Sequence, residues 1–386
     1  MTTSFADDAR SGFPAPGPAP TAAGSTDILV AGGGTGGHTV AATVIAAVAV
    51  EAGFRVAWAG RPQSYEHRVA DENAIPFWPT PAYRLAPKNA LAIVRSVASA
   101  RRLIRRLTPR LVIATGSWVC LPVAVAARLT GVPLVVHEQT LIPGAATTFL
   151  SRFAVETWLT YEASGPHFPT KRPLVQTGFP LRPVLRQPVQ RAEGLAGFGL
   201  ADAPTLFVAG GGSGAESLNA YVARHLADLL GPWQIVHQAG TSPNLTTTVD
   251  VLKARRDALA PELAARYVVD GYFDGAKVNA ALRCATLTLA RAGAGFVNEV
   301  GQLGTQAVLV PYPYSVKGEQ EALAQSLVPT GRVVVWDDRA LRDDDPEKLA
   351  QLLDWTPPRP TGQPSPVRPT DESVRLIAQR LRAIVA

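Results

Sequence analysis

The chain has 386 residues, 47% hydrophobic and 18% charged, which is long enough for two domains with full cores. No run of about 18 apolar residues is free of charges or breaks, so no membrane-spanning helix is expected. The net charge is +6, with much of the excess in Arg95, Arg101, Arg102, Arg105, Arg106 and Arg110; this favours an anionic partner, and with no zinc-finger spacing and no RNA-binding aromatic motif, nucleic acid is not an expected one.

Residues 1–25 are rich in Ala, Pro, Gly, Ser and Thr and carry Asp7 and Asp8, so they read as a disordered tail and not a signal peptide. Asp27-Ile-Leu-Val-Ala31 then reads as a buried strand. Five glycines follow in the six positions 32–37, and Thr39 to Ala52 is almost wholly apolar, as a buried helix would be. A strand, a glycine-rich turn and a helix start make a site for negatively charged oxygens. The backbone can approach closely, and the helix N-terminus carries roughly half a positive charge. His38 stands where that helix begins. Gly32, Gly34 and Gly37 also fit Gly-x-Gly-x-x-Gly. However, the second expected strand, 55–59, runs into Gly60-Arg61-Pro62 without the carboxylate that NAD sites place about 20 residues on. Phosphate binding in general remains.

Strands are expected at 27–31, 55–59, 75–79, 111–114, 133–136 and 156–160. Helices are expected near 38–52, 64–73, 89–107, 119–130 and 144–153. This alternation predicts a parallel sheet covered on both faces. Cys120 and Cys284 lie in apolar runs of different halves and read as reduced core residues of a cytosolic protein. Gly178-Phe-Pro-Leu-Arg-Pro183 breaks the pattern, and a polar stretch follows to about 203. The pattern restarts at 204 with a strand, a second glycine-rich turn at 210–215 and a helix to about Leu230. Further strands are expected near 233–237, 267–269, 285–290, 306–310 and 332–336. The reading is α/β, with two doubly wound domains that face two glycine-rich loops across one cleft. The expected division is a tail at 1–25, an amino-terminal domain at 26–180, a linker at 181–203, a second domain at 204–355, a Pro-rich linker at 356–370 and a closing helix at 371–386. That helix carries Val374, Ile377, Leu381 and Ile384 on one face and could fold back on the first domain.

Several motifs form an ordered set: Gly33-Gly-Thr-Gly-Gly-His38, Thr115-Gly-Ser-Trp-Val-Cys-Leu-Pro122, His137-Glu-Gln-Thr140, Gly178-Phe-Pro-Leu-Arg182, Gly211-Gly-Ser-Gly-Ala215, Arg291-Ala-Gly-Ala294 with Glu299, and Val310-Pro-Tyr-Pro with Gln320. In this order and spacing, over about residues 27–340, the chain resembles the bacterial MurG glycosyltransferases. That resemblance implies the GT-B fold. It also implies inverting, metal-independent transfer of N-acetylglucosamine from UDP-GlcNAc to undecaprenyl-diphospho-MurNAc-pentapeptide (lipid I), giving lipid II for peptidoglycan. UDP-GlcNAc is then a substrate, and no cofactor or metal is expected.

By the same resemblance His38 is the candidate base. Gly34, Thr35, Gly36 and Gly37, with Trp118 and Glu138, would hold the acceptor. Trp118 suits packing as well as substrate contact. The donor would be held by Thr35, Gly36, Gly37, Thr140, Arg182, Gly212, Ser213, Gly214, Phe273, Arg291, Ala294, Gly295, Phe296, Glu299 and Gln320. Within that set Arg182 and the second loop would take the diphosphate, Glu299 the ribose hydroxyls, the backbone near Phe273 the uracil and Gln320 the sugar. The chain departs from the family pattern at Ala41, Trp118, Thr140, Phe179, Ala290, Phe296 and Leu323, and in the Gly212-Ser213 pair. Two alternatives stay open: a related enzyme with another UDP-sugar or acceptor, and a non-catalytic partner of cell-wall proteins. Ile75, Phe77, Trp78, Tyr83, Leu85 and Leu91 precede the arginine-rich helix and suit a monotopic face on anionic lipid, or else a core with a solvated helix. The lipid-linked acceptor favours the membrane, at its cytoplasmic side, where cell-wall synthesis and division proteins are possible partners.

Overall fold

The computed structural model describes residues 26–84 and 86–386. The expected tail at 1–25, and Leu85 of the expected apolar face, lie outside the described residues. The first half runs β1 (Ile28–Ala31), α1 (Gly36–Glu51), β2 (Val56–Gly60), α2 (Tyr65–Glu72), β3 (Phe77–Pro79), α3 (Ala90–Leu107), β4 (Leu111–Ala114), α4 (Ser117–Thr130), β5 (Leu134–Glu138), α5 (Ala145–Leu150), β6 (Glu156–Leu159) and β7 (Leu174–Gln176). The second half runs α6 (Pro183–Arg186), α7 (Arg191–Ala196), β8 (Thr205–Ala209), α8 (Glu216–Arg224), α9 (Leu226–Leu229), β9 (Gln234–Gln238), α10 (Val249–Asp257), α11 (Pro261–Ala264), β10 (Tyr267–Asp270), α12 (Gly275–Cys284), β11 (Leu287–Arg291), α13 (Ala294–Leu303), β12 (Ala307–Val310), α14 (Glu319–Leu327), β13 (Val333–Val335), α15 (Asp338–Arg342), α16 (Pro346–Leu353) and α17 (Thr370–Val385).

All the strands pair in parallel, in two sheets of order β3-β2-β1-β4-β5-β6-β7 and β10-β9-β8-β11-β12-β13. Both faces of each sheet are covered, which is why central strands are continuous apolar runs. In β1, Ile28 and Val30 pack with Ile45 and Ile377, whereas Leu29 and Ala31 pack with Ile104 and Val123 on the other face. In β8, Leu206 and Val208 join Leu218 and Val222, while Phe207 and Ala209 join Leu282 and Val297.

Helix α1 is apolar all round because it is covered on several sides. Its Ile45 and Val48 meet the sheet core, and its Ala41 and Val44 meet Phe179 where the chain crosses between domains. Helix α17 returns to the first domain. Ile377, Leu381 and Val385 are buried with β1 and α1, each large side chain contributing about 1.5–3 kcal/mol. Arg380 pairs there with Glu156, which also accepts from Trp158 Nε1 at 2.9 Å.

The 181–203 stretch is not a free linker. Leu181, Leu185, Leu195 and Leu200 are buried in the second domain's core, and the Asn279 amide donates to the carbonyls of Val184 and Gln187 at 2.8 and 3.0 Å. Its polar residues coat the solvent side of short helices whose leucines point inward. The crossing itself is at 178–182. It is tied to a second crossing before α17: Leu181 N donates to Thr370 Oγ1 at 2.9 Å, and Gln302 Nε2 to Phe179 O at 2.6 Å. The Pro-rich stretch also docks, with Thr361 Oγ1 donating to Pro329 O at 2.6 Å and Val367 buried. Among the described residues, no helix is long and apolar enough to cross a membrane.

The apolar face expected before α3 divides. Ile75 and Phe77 are core residues, Phe77 stacking on His67 with centroids 4.2 Å apart. Trp78 lies under the Arg106 guanidinium at 4.8 Å. Tyr83, Leu91 and Val94 stay exposed, beside the exposed Arg95, Arg101, Arg102 and Arg105.

Candidate active site

The first glycine-rich loop leaves β1 at the sheet's carboxyl edge and enters α1 with Thr35 extended at the cap and no side chain bonding the first-turn amides. The first turn of α1 meets the first turn of α13. A Cβ on Gly37 would lie 3.5 Å from that of Ala294, and one on Gly295 3.3 Å from that of Val40. Two helix N-termini therefore converge, one from each domain, and anionic oxygen is favoured between them.

His38 sits at that junction. Its Nδ1 donates to the Thr115 carbonyl at 2.8 Å, and the Thr115 hydroxyl donates to the His38 carbonyl at 2.9 Å. The Gln139 side-chain amide lies 2.6 Å from the same ring nitrogen, and with Nδ1 protonated it is the amide oxygen, not the NH2 group, that faces the ring and accepts. Gly116 has φ +97°, and a Cβ there would come within 2.8 Å of His38 Cε1, so only glycine leaves room for the ring. With the proton fixed on Nδ1, Nε2 carries the lone pair and has no partner among the described residues. Burial lowers the His38 pKa, partly opposed by the charge of Glu138, so the neutral base form is favoured.

Glu138 and Thr140 are not presented to a ligand. Glu138 is buried and accepts from Thr140 N at 3.0 Å, Thr140 Oγ1 at 2.7 Å, Gly144 N at 3.1 Å and the Thr147 hydroxyl. A buried carboxylate needs such donors, and the segment after β5 wraps around it to supply them. The expected acceptor-binding role therefore gives way to building the loop beside His38. The one Thr140 hydroxyl proton is shared between Glu138 and Ile142 O, 2.8 Å away, so its groups are used locally. Trp118 does lie by the first loop: its Nε1 would be 3.8 Å from a Cβ on Gly34, and the Arg61 guanidinium covers its ring at 5.2 Å.

Across the cleft, Gly210–Ala215 joins β8 to α8. Gly214 has φ +83° and a Cβ there would lie 2.2 Å from Ala239 O, so the loop packs flat on the neighbouring turn. Gly212 O accepts from Thr241 N at 3.1 Å, and Ser213 O from Ser242 N at 3.2 Å. This fixes the loop; Gly210 N and Gly214 N are spent on Gln238 O and Gly211 O, while the amides of Gly211, Gly212 and Ser213 have no partner among the described residues. Arg182 and Glu299, expected as separate donor ligands, are joined: Arg182 Nε donates to Glu299 Oε1 at 2.8 Å, both largely buried. Ala294 and Gly295 open α13 as the motif requires.

Three expected donor residues are placed otherwise. The guanidinium of Arg291 is spent on Asp338 at 2.6 Å, on Ser217 Oγ at 2.7 Å and on the Val310 and Pro311 carbonyls, so it braces the second domain from within. Phe296 is partly buried, packed on the apolar cluster and tilted against Phe207 at 6.2 Å. The Phe273 ring is core as well, although its amide and carbonyl have no partner among the described residues. Gln320 Oε1 accepts from Tyr312 N at 2.9 Å, leaving its NH2 group for the cleft. Beside it Glu319 opens α14; burial, then the charge of Glu138, holds its carboxyl above the usual range.

Sequence reasoning passed over Tyr65, Glu66, Arg61, Gln139 and Tyr272. Glu66 is fully buried and accepts from Gly34 N at 3.3 Å and Arg61 Nε at 3.0 Å. The hydroxyl of Tyr272, in the second domain, donates to Glu72 of the first at 2.8 Å. Gln139 stood inside the His137–Thr140 motif without a role of its own, and for Tyr65 and Glu66 the sequence signal was Ser64 capping α2, where it accepts from His67 N at 3.3 Å. Among the described residues no cluster of three or more His, Cys, Asp or Glu could hold a metal ion.

Known proteins resemble the chain throughout. The Glycosyltransferase family 28 N-terminal domain matches residues 28–158, and the Glycosyltransferase family 28 C-terminal domain matches residues 205–381. The chain is 31% identical over 360 residues to the UDP-N-acetylglucosamine--N-acetylmuramyl-(pentapeptide) pyrophosphoryl-undecaprenol N-acetylglucosamine transferase of Desulforudis audaxviator (strain MP104C), covering 84% of this chain and 92% of that one. The protein of the same name from Roseiflexus sp. (strain RS-1) is 33% identical over 372 residues, covering 81% of this chain and 83% of that one. Among solved structures, Acinetobacter baumannii MurG superposes with a TM-score of 0.59 at 26% identity, over 93% of this chain and 97% of that one.

Proposed function

The chain belongs to glycosyltransferase family 28 and, within it, to the MurG transferases, and from that membership we propose how its cleft works. The enzyme transfers N-acetylglucosamine from UDP-GlcNAc to lipid I, giving lipid II for peptidoglycan. The donor lies on the second domain, with its diphosphate over the 210–215 loop and the N-terminus of α13. The acceptor diphosphate lies on the 34–37 loop.

The acceptor hydroxyl gives its proton to His38 Nε2 as its oxygen attacks the anomeric carbon. The bond from that carbon to the UDP oxygen breaks on the opposite face, so the centre inverts. The leaving diphosphate gathers charge, which the converging helix N-termini, the loop amides and Arg182 stabilise in place of a metal ion. Arg182 moves from Glu299 to the diphosphate, and the ribose hydroxyls replace it as donors to Glu299. The Phe273 backbone reads the uracil, and the Gln320 NH2 group meets the sugar. The exposed Tyr83, Leu91 and Val94, with the exposed arginines of α3, dock on anionic lipid at the cytoplasmic face of the membrane, where the lipid-linked acceptor resides.

The observation that carries the reading is the Nδ1 bond of His38 to the Thr115 carbonyl, which leaves Nε2 with the lone pair and without a partner among the described residues, where the two helix N-termini meet. General-base catalysis contributes about 10²–10⁴-fold. His38→Ala is expected to slow transfer by about that factor while UDP affinity, by calorimetry, stays unchanged. Transfer at the wild-type rate would remove His38 as the base.

A further inference from the structure

Two consecutive residues in the first turn of α2 reach both glycine-rich loops. Glu66 accepts from Gly34 N in the first loop. Tyr65 turns the other way, across the cleft, onto the second. A Cβ on Gly212 would come 3.1 Å from Tyr65 Cε2 and 3.4 Å from Cζ, the carbon that bears the hydroxyl. The ring is also held edge-on by Tyr272 of the second domain, with centroids 6.5 Å apart at 77°. Its hydroxyl makes no hydrogen bond among the described residues. The phenol's surroundings include the Arg182–Glu299 pair, whose charges both act on it. An O–H without a partner among the described residues, set between a loop whose Gly211, Gly212 and Ser213 amides are likewise unengaged and an arginine, matches an anionic oxygen.

We propose that Tyr65 is a donor-binding residue supplied by the amino-terminal domain, its hydroxyl donating to a phosphate oxygen of the nucleoside diphosphate seated on the 210–215 loop. This rests on the reading of that loop given above. Burial pushes the Tyr65 phenol up, so it keeps its proton and serves as a donor at neutral pH. Its position is rigid, because the next residue, Glu66, is clamped by Gly34 and Arg61, and Ser64 caps the same turn. The donor is therefore gripped from both domains. The residue that touches it is covalently next to the one that holds the acceptor loop, so donor binding and acceptor-loop geometry share one support.

The test compares wild-type protein with Tyr65→Phe, which keeps the ring on Gly212 and removes only the hydroxyl. Calorimetric titrations with UDP and with uridine separate a phosphate contact from a nucleoside contact. The expected result is about a tenfold weaker affinity for UDP, as for loss of a hydrogen bond to a charged group, with uridine affinity and the unfolding midpoint unchanged. Equal UDP affinity in the two proteins would overturn the inference. Equal losses for UDP and uridine would overturn it too, since the hydroxyl would then shape the pocket and not meet phosphate. Absence of UDP binding by the wild-type protein would overturn the reading of the loop itself, and this inference with it.

Discussion

His38 and the other buried imidazoles differ in what they do with their nitrogens. His38 has one nitrogen engaged by Thr115 and Gln139 and one without a partner among the described residues. His237 has both engaged, by Tyr267 at 2.8 Å and Asn219 at 3.1 Å. His137 bonds Gly178 O at 3.3 Å through Nε2, and its Nδ1 has no partner among the described residues. Burial pushes His137 down to about 4 and His237 down to about 3. Histidine in the unfolded chain titrates at about 6.5. Between that value and the native ones the unfolded state binds more protons than the native state, so stability falls as pH falls. The contribution is fully present above about pH 6.5 and is lost as pH drops through about 4 towards about 3. Urea titrations from pH 7 to pH 4 should show stability falling by on the order of a few kcal/mol, at about 1.4 kcal/mol per pH unit for each ring that takes up its proton only on unfolding. A stability flat over that range would contradict the burial of these rings. The motif residues were legible as types, but their partners were not. Glu138 was legible as a motif carboxylate, yet the donors that enclose it come from the turn that follows, a tertiary detail no spacing rule supplies. Arg291 was legible as part of a motif, while Asp338, its ion-pair partner, lies far along the chain in a charged stretch.

At the scale of elements, most strands and helices could be read from apolar runs and glycine punctuation, with ends displaced by a residue or two. β7 was missed because Leu174–Gln176 is a short, half-exposed edge strand with little apolar signal. The 181–203 stretch was misread because its leucines are spaced among polar residues on helices of only a few residues, too short for a clear period. The face before α3 was read as one patch, whereas the β3 region takes Ile75 and Phe77 into the core and leaves Leu91 and Val94 outside. Val94 escaped notice because it follows the helix start among alanines and an isoleucine. This division gives a prediction. The double substitution Leu91→Glu with Val94→Glu should weaken binding to anionic vesicles severalfold in a flotation assay, since both side chains are already exposed and the fold has no need of them. Phe77→Glu would unfold the protein instead. Unchanged flotation of the double variant would dissociate this face from the membrane.

For the whole molecule, the two-domain architecture follows from repetition: a strand, a glycine-rich turn and a helix occur twice, each opening a run of alternating elements. The relation of the two halves was less legible. It depends on Phe179 filling a space against α1, on the crossings held by Thr370 and Gln302, and on α17 returning to the first domain. Those contacts bring the N-termini of α1 and α13 together and place Tyr65 and Tyr272 across the mouth of the cleft. The central claim is that this cleft alone, without a metal ion, moves N-acetylglucosamine to a lipid-linked acceptor. The most direct measurement is transfer of labelled N-acetylglucosamine from UDP-GlcNAc to a short-chain lipid I analogue, in the presence of EDTA. The account predicts a labelled lipid II product at the same rate with and without the chelator. Absence of transfer while UDP still binds, or transfer abolished by EDTA, would contradict it.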